Sequence, residues 1–150
     1  MKRIIRKYCA GSMISILFVL ACVIAMPVVS RASESDENLI SGDWVYSINE
    51  DGTATIVCWS GSDDSVVIPE KIDNYVVTGI GFAAFYNYSK LTSVTIPNGV
   101  TSISEHAFSG CSSLTSITIP ESVTSIEANA FVLCSSLTSI TIPESVTSIG

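Results

Sequence analysis

Apolar side chains recur along this chain with a fixed period, each apolar position i being matched at i + 23. In "SSLTSITIPESVTSIEANAFVLC" (112–134) they fall at Leu114, Ile117, Ile119, Val123, Ile126, Ala130, Phe131 and Cys134. "SKLTSVTIPNGVTSISEHAFSGC" (89–111) is the preceding copy, and "SSLTSITIPESVTSIG" (135–150) is the opening part of the next. Upstream, "VVIPEKIDNYVVTGIGFAAFYNY" (66–88) is a degenerate copy. Its Ile80, Phe85 and Tyr88 precede Ile103, Phe108 and Cys111 by the same interval, with five extra residues between its Ile-Pro and that Ile. A repeat of this length with a leucine-type pattern marks a solenoid and overrides an ordinary globular reading.

Within each unit the alternation around Ile117 and Ile119 predicts a short strand rich in β-branched residues. Pro120 ends it, because proline has no N–H for the next ladder bond. "VTSI" predicts a second extended piece on another side of the coil, and "AF" an aromatic plug at the following corner. No unit can bury this set alone. Stacked at strand spacing, roughly 4.8 Å, the units align like side chains into Leu, Ile and Phe columns. With Leu and Ile inward, the intervening side chains point outward. Two ladders are then expected on the outer face, from Ser93, Thr95, Ser116, Thr118, Ser139 and Thr141.

Residues 43–65 carry no repeat. "WVYSI" and "TATIVCW" flank "NEDG", which predicts a β-hairpin with a glycine-containing turn. Directly before the first coil, it serves as the cap that a solenoid end requires. Residues 33–42, "SESDENLISG", form a short acidic lead-in.

The pattern L-x-x-[IV]-x-I-P-x-x-V-x-x-I-x-x-x-A-F-x-x-C, over residues 66–150, resembles the BspA-type leucine-rich repeat of bacterial surface proteins. "TIP", "TSI" and "AF" at these spacings are far more specific than a lone LxxLxL. The resemblance implies a mainly β, right-handed solenoid with a parallel sheet along its concave side. It also implies secreted or surface-exposed proteins that bind other proteins or host matrix, and it brings no catalytic residues. The six Ser and Thr positions then become a protein-binding concave face.

The N-terminus bears on location. "MKRIIRK" is basic, "SMISILFVLACVIAMPVV" (12–29) is apolar, and Ser30 and Ala32 sit three and one residues before a cleavage point at Ser33. This is a secretory signal peptide over 1–32. An uncleaved anchor and a lipoprotein box ending at Cys22 are the alternatives, and each places the remainder outside the cytoplasm. Removing 1–32 takes five of the seven basic residues and none of the 14 acids, leaving two bases and a formal charge of −12. Such a chain repels nucleic acid and anionic headgroups, so neither nucleic acid nor, after cleavage, a membrane is an expected partner. Cys58, Cys111 and Cys134 remain, an odd number that argues against a disulfide framework.

No constellation of catalytic residues is found, and no metal or cofactor is expected. His106, the one histidine, matches Asn129 a repeat later and reads as a solvent-facing position without a partnered nucleophile. Glu121 and Glu144 share an exposed "PES" turn, Asp63-Asp64 reads as turn chemistry, and "NEDG" lacks the alternating ligands of a calcium loop. Cys111 and Cys134 share one repeat position, which Tyr88 occupies in the degenerate copy, so they read as packed free thiols. "NYS" (87–89) fits a glycosylation acceptor.

The expected function is non-catalytic adhesion or protein recognition, with a protein or extracellular-matrix ligand. The alternative is a repeat spacer or targeting module for an extracellular enzyme, such as a cell-wall hydrolase, whose catalytic domain lies beyond residue 150. Ice binding is disfavoured by the serine positions and the expected curvature. The third copy stops after "TSIG", before its Ala-Phe and Cys. That reads as a truncated end, which would expose Leu137, Ile140, Ile142 and Ile149 and favour self-association through the uncapped coil.

Overall fold

The computed structural model describes residues 38–150. The expected signal peptide over 1–32 and the first half of the expected lead-in, 33–37, lie outside the described residues. The described chain is mainly β, a solenoid of about four turns whose coils stack through parallel strand pairs in two sheets.

Three strands begin it: β1 (Leu39–Ser41), β2 (Trp44–Ile48) and β3 (Ala54–Trp59), paired antiparallel in that order. Asn49 to Thr53 turn β2 into β3. The Asp51 carboxylate accepts from the Thr53 amide and hydroxyl at 2.9 and 2.6 Å, and these bonds hold its pKa below the usual value. β3 then lies parallel on β6 (Tyr75–Ile80), so the cap is continuous with the first coil. Trp59 packs on the Phe85 ring at 6.2 Å, and Trp44 meets it edge-on at 6.3 Å. Gly61 lets the outgoing chain cross Trp59, since a Cβ there would fall 2.4 Å from the indole.

β4 (Ser65–Val67), β7 (Ser93–Thr95) and β9 (Ser116–Thr118) form the shorter sheet. β8 (Ser102–Ile103), β10 (Ser125–Ile126) and β11 (Ser148–Ile149), from the "VTSI" pieces, extend the longer one beyond β6. The five extra residues of the degenerate copy have a structural use. They make β5 (Lys71–Ile72), a hairpin partner of β6, with Asp73 and Asn74 at φ 46° and 76° in the two-residue turn. Asp73 then accepts from the Ser41 and Tyr46 hydroxyls at 2.9 and 3.0 Å, clamping the first coil to the cap. Tyr88 stands at the cysteine position for a related reason, because its hydroxyl donates to the Trp59 carbonyl.

Each coil is bound to the next by polar bonds that the repeat duplicates. The hydroxyls of Thr101, Thr124 and Thr147 donate to the carbonyls of Thr78, Thr101 and Thr124 at 3.1, 3.2 and 3.3 Å. Thr115 bonds Thr92 in the same way at 3.0 Å. Inside, Leu91 and Leu114, Ile103 and Ile126, and Val100 and Val123 form the expected columns, all buried. The rings of Phe85, Phe108 and Phe131 stack at 5.0 and 5.4 Å, nearly parallel. In the last coil Leu137 and Ile140 are half-buried, while Ile142 and Ile149 are 38% and 64% exposed.

Candidate functional site

The outward positions follow from strand alternation. On β7 and β9 the middle residues, Val94 and Ile117, point into the core, and their neighbours point out. Thr95, Ser116 and Thr118 are exposed and Ser93 half-exposed. Register pairs Ser65 with Ser93 and Ser116, and Val67 with Thr95 and Thr118, which gives two rows across three strands. The Ser65 and Ser93 hydroxyls lie 2.7 Å apart, so the serine row begins as a direct hydrogen bond. The other row starts with Val67, which is 69% exposed. Ser139 and Thr141 are also exposed, but they lie beyond β9, the last strand of this sheet. The structure therefore brings four of the six positions onto one three-stranded face. That face belongs to the shorter sheet, while the longer sheet runs along the "VTSI" side.

This surface offers hydroxyls and no ionisable group. It can present shape and hydrogen-bond donors and acceptors to a macromolecule, and it holds nothing that performs acid–base or nucleophilic chemistry. Among the described residues, no three His, Cys, Asp or Glu side chains gather as a metal-ligating set. No helix among them is long and apolar enough to cross a membrane. Glu121 and Glu144 are exposed on their turns.

His106 differs from its expected role. It is half-buried, with φ 57°, and its Nδ1 is buried without a hydrogen-bond partner among the described residues, while Nε2 lies 3.6 Å from Glu105. Ala83 and Asn129, one coil away on either side, share the left-handed φ at 54° and 57°. Asn87, Gly110 and Leu133 form a second such set, at 59°, 76° and 60°. These corners carry backbone bonds that run forward to the next coil, such as Phe85 N–H to the Ala107 carbonyl and Phe108 N–H to that of Ala130, both 2.8 Å. His106 is thus a corner residue, and histidine, like asparagine, enters this region more readily than most.

Cys111 and Cys134 are free and buried. Each thiol donates to the carbonyl of the phenylalanine in the preceding coil, Phe85 or Phe108, at 3.1 Å. Burial, and then the neighbouring Cys134, pushes Cys111 up from 9.0 to about 12. Burial also raises Cys134, and burial followed by the Asp73 bond raises Tyr46 from 10.0 to about 12. All three are proton-retaining in the folded state. Their contribution to stability is complete below the unfolded pKa values and is lost as pH climbs from about 9 towards 12. The guanidinium midpoint is expected to hold steady from about pH 6 to 8 and to fall steadily above about pH 9. In the native protein, thiol reagents should leave Cys111 unmodified at pH 8. A midpoint that stays flat to about pH 11 would count against this account.

Comparisons with known proteins agree with this geometry. The family model of the BspA type leucine rich repeat region matches residues 62–150, in 6 copies. Among solved structures, the T. pallidum leucine rich repeat protein is 32% identical with a TM-score of 0.71, over 76% of this chain and 54% of that one. A leucine rich cell surface protein from Faecalibacterium prausnitzii is 39% identical with a TM-score of 0.71, over 79% of this chain and 34% of that one. A leucine-rich repeat protein from Bacteroides capillosus is 34% identical with a TM-score of 0.68, over 75% and 87%. The chain thus spans about half the length of the T. pallidum protein and about a third of the F. prausnitzii one. No curated protein matches significantly.

Proposed function

The chain belongs to the BspA-type leucine-rich repeat family, and from that premise we propose that it is an exported, surface-exposed repeat protein that recognises a protein or matrix ligand without performing chemistry. The observation that carries this reading is the outward face of β4, β7 and β9. Ser65, Ser93 and Ser116 run beside Val67, Thr95 and Thr118 with no side chain of the core intervening. A repeat array spreads affinity over such a face, coil by coil, and each added coil enlarges it. The F. prausnitzii relative, named as a cell surface protein, supports the location. The acidic balance after leader removal keeps the face away from anionic lipid and nucleic acid.

The test is solid-phase binding of the protein to a panel of extracellular-matrix proteins, with Thr95→Arg/Thr118→Arg as the blocking variant. Both positions are exposed, so the variant should melt with the parent. Binding to at least one panel member, weakened about tenfold or more in the variant, is the expected result. Absence of binding across the panel, or binding that the variant leaves unchanged, would refute the reading.

A further inference from the structure

The cap closes the first coil on one side only. β3 pairs with β6 and continues the longer sheet, whereas β4 pairs only with β7 among the described strands, so its other edge is open. Alternation along the strand fixes what that edge offers. The Asp64 carbonyl accepts from the Thr92 and Ser93 amides, and the Ile68 amide donates to the Thr95 carbonyl, all towards β7. Ser65 and Val67 therefore turn their N–H and C=O groups the opposite way, where no backbone group among the described residues meets them.

A cleft of about 220 Å³ adjoins this edge, lined by β4 together with Asp43, Trp44, Trp59 and Asp63. Trp59 forms a fixed, buried wall, and Trp44, 6.3 Å from it, is partly exposed. Asp43 and Asp63 are exposed at the rim, and neither carboxylate has a hydrogen-bond or ion-pair partner among the described residues. Neither of the two lysines of the described chain, Lys71 and Lys90, lines the cleft.

We propose that this cleft is a docking site for an extended, basic segment of a partner protein, which adds to β4 as a strand and places a lysine or arginine against Trp44 between Asp43 and Asp63. Strand addition supplies main-chain bonds to Ser65 and Val67, and a pocket for alternate side chains supplies selection. The paired acids and the indole suit a cation, through charge-assisted hydrogen bonds and cation–π contact. Charge complementarity argues for a basic partner rather than a second copy of this acidic chain. The site uses the sheet's edge, whereas the Ser/Thr rows use its face, so either can hold without the other.

The experiment measures fluorescence anisotropy of a labelled peptide that alternates lysine and valine, together with amide hydrogen exchange of the full chain. Two twin peptides serve as controls, one with glutamate for lysine and one of unchanged charge with alternate backbone nitrogens methylated. The lysine peptide should bind about tenfold or more tighter than either twin, with new protection at the Ser65 and Val67 amides. Asp43→Asn/Asp63→Asn should weaken it about fivefold or more at an unchanged melting temperature, and Thr95→Arg/Thr118→Arg should leave it intact. Failure of the lysine peptide to bind, equal binding of either twin, no protection at Ser65 and Val67, or indifference to the Asp variant would overturn the site. Protection that grows with protein concentration alone, with a matching rise in sedimentation coefficient, would overturn it in favour of a second copy.

Discussion

Phe108→Ala is expected to lower the free energy of unfolding by about 3–5 kcal/mol. Phe108 is fully buried, with Phe85 stacked on one face at 5.0 Å and Phe131 on the other at 5.4 Å. In an ordinary core, neighbours relax into part of the space that truncation leaves. Here both neighbours are held in place, because the Phe85 amide bonds Ala107 and the Phe108 amide bonds Ala130, each at 2.8 Å. Coil spacing is set by the backbone ladder, so the column cannot shorten and most of the cavity persists. In a chain of nearest-neighbour units the change also damages two coil interfaces at once. Phe131→Ala is the matched control. That ring is half-buried and stacks on a single described neighbour, so its loss should cost about half as much. Guanidinium unfolding followed by tryptophan fluorescence reads both variants. A Phe108 cost below about 1 kcal/mol, or equal costs for the two, would show that the column is not what holds the coils together.

The Leu, Ile, Phe and Cys columns could be read from residue letters because each recurs at one spacing, and stacked coils bury equivalent positions against one another. The strands followed from alternation and from Pro97 and Pro120 behind them. The corner geometry could not be read in this way. Ala83, His106 and Asn129 share a left-handed φ although their side chains have little in common, since that conformation is imposed by backbone bonds between coils. Only Asn87 and Gly110 carry the usual residue signal for it in the second set, and Leu133 conceals it. The threonine staples were visible as repeated letters but not as bonds, because Thr101 or Thr124 facing solvent and Thr101 or Thr124 bonding a carbonyl one coil back give the same pattern. Within the candidate face, side-chain direction at Ser93 through Thr118 followed from alternation. Alternation could not supply where the sheet ends, and it ends at β9, before Ser139 and Thr141. The edge cleft had no sequence signal at all. Asp43 and Trp44 stand a whole hairpin ahead of Asp63 in the chain and meet it only because β2 and β3 fold back beside β4.

Duplicating residues 112–134 between Cys134 and Ser135 is expected to raise the unfolding midpoint and to steepen the transition. The duplicated unit supplies its own partners at both joins. Its Thr124 equivalent meets the Thr124 carbonyl of the coil before, its cysteine thiol meets the Phe131 carbonyl, and its phenylalanine stacks on Phe131, as the native pairs do. Ser135 to Ile149 repeats Ser112 to Ile126 letter for letter, so the segment after the insert meets the neighbour it already has. The denaturant m-value scales with the surface exposed on unfolding, and one more unit added to the described 38–150 should raise it by about a fifth. An insert longer by a single serine, placed between Thr115 and Ser116 of the duplicate, gives the contrast. The extra residue turns Ile117 and Ile119 of that coil outward and Ser116 and Thr118 inward, since strand side chains alternate. That variant should lose stability despite its near-identical composition. If both insertions shifted the midpoint alike, the coils would be interchangeable in bulk hydrophobicity rather than matched residue by residue. The letter-for-letter repetition would then have no structural cause in the bonds between coils.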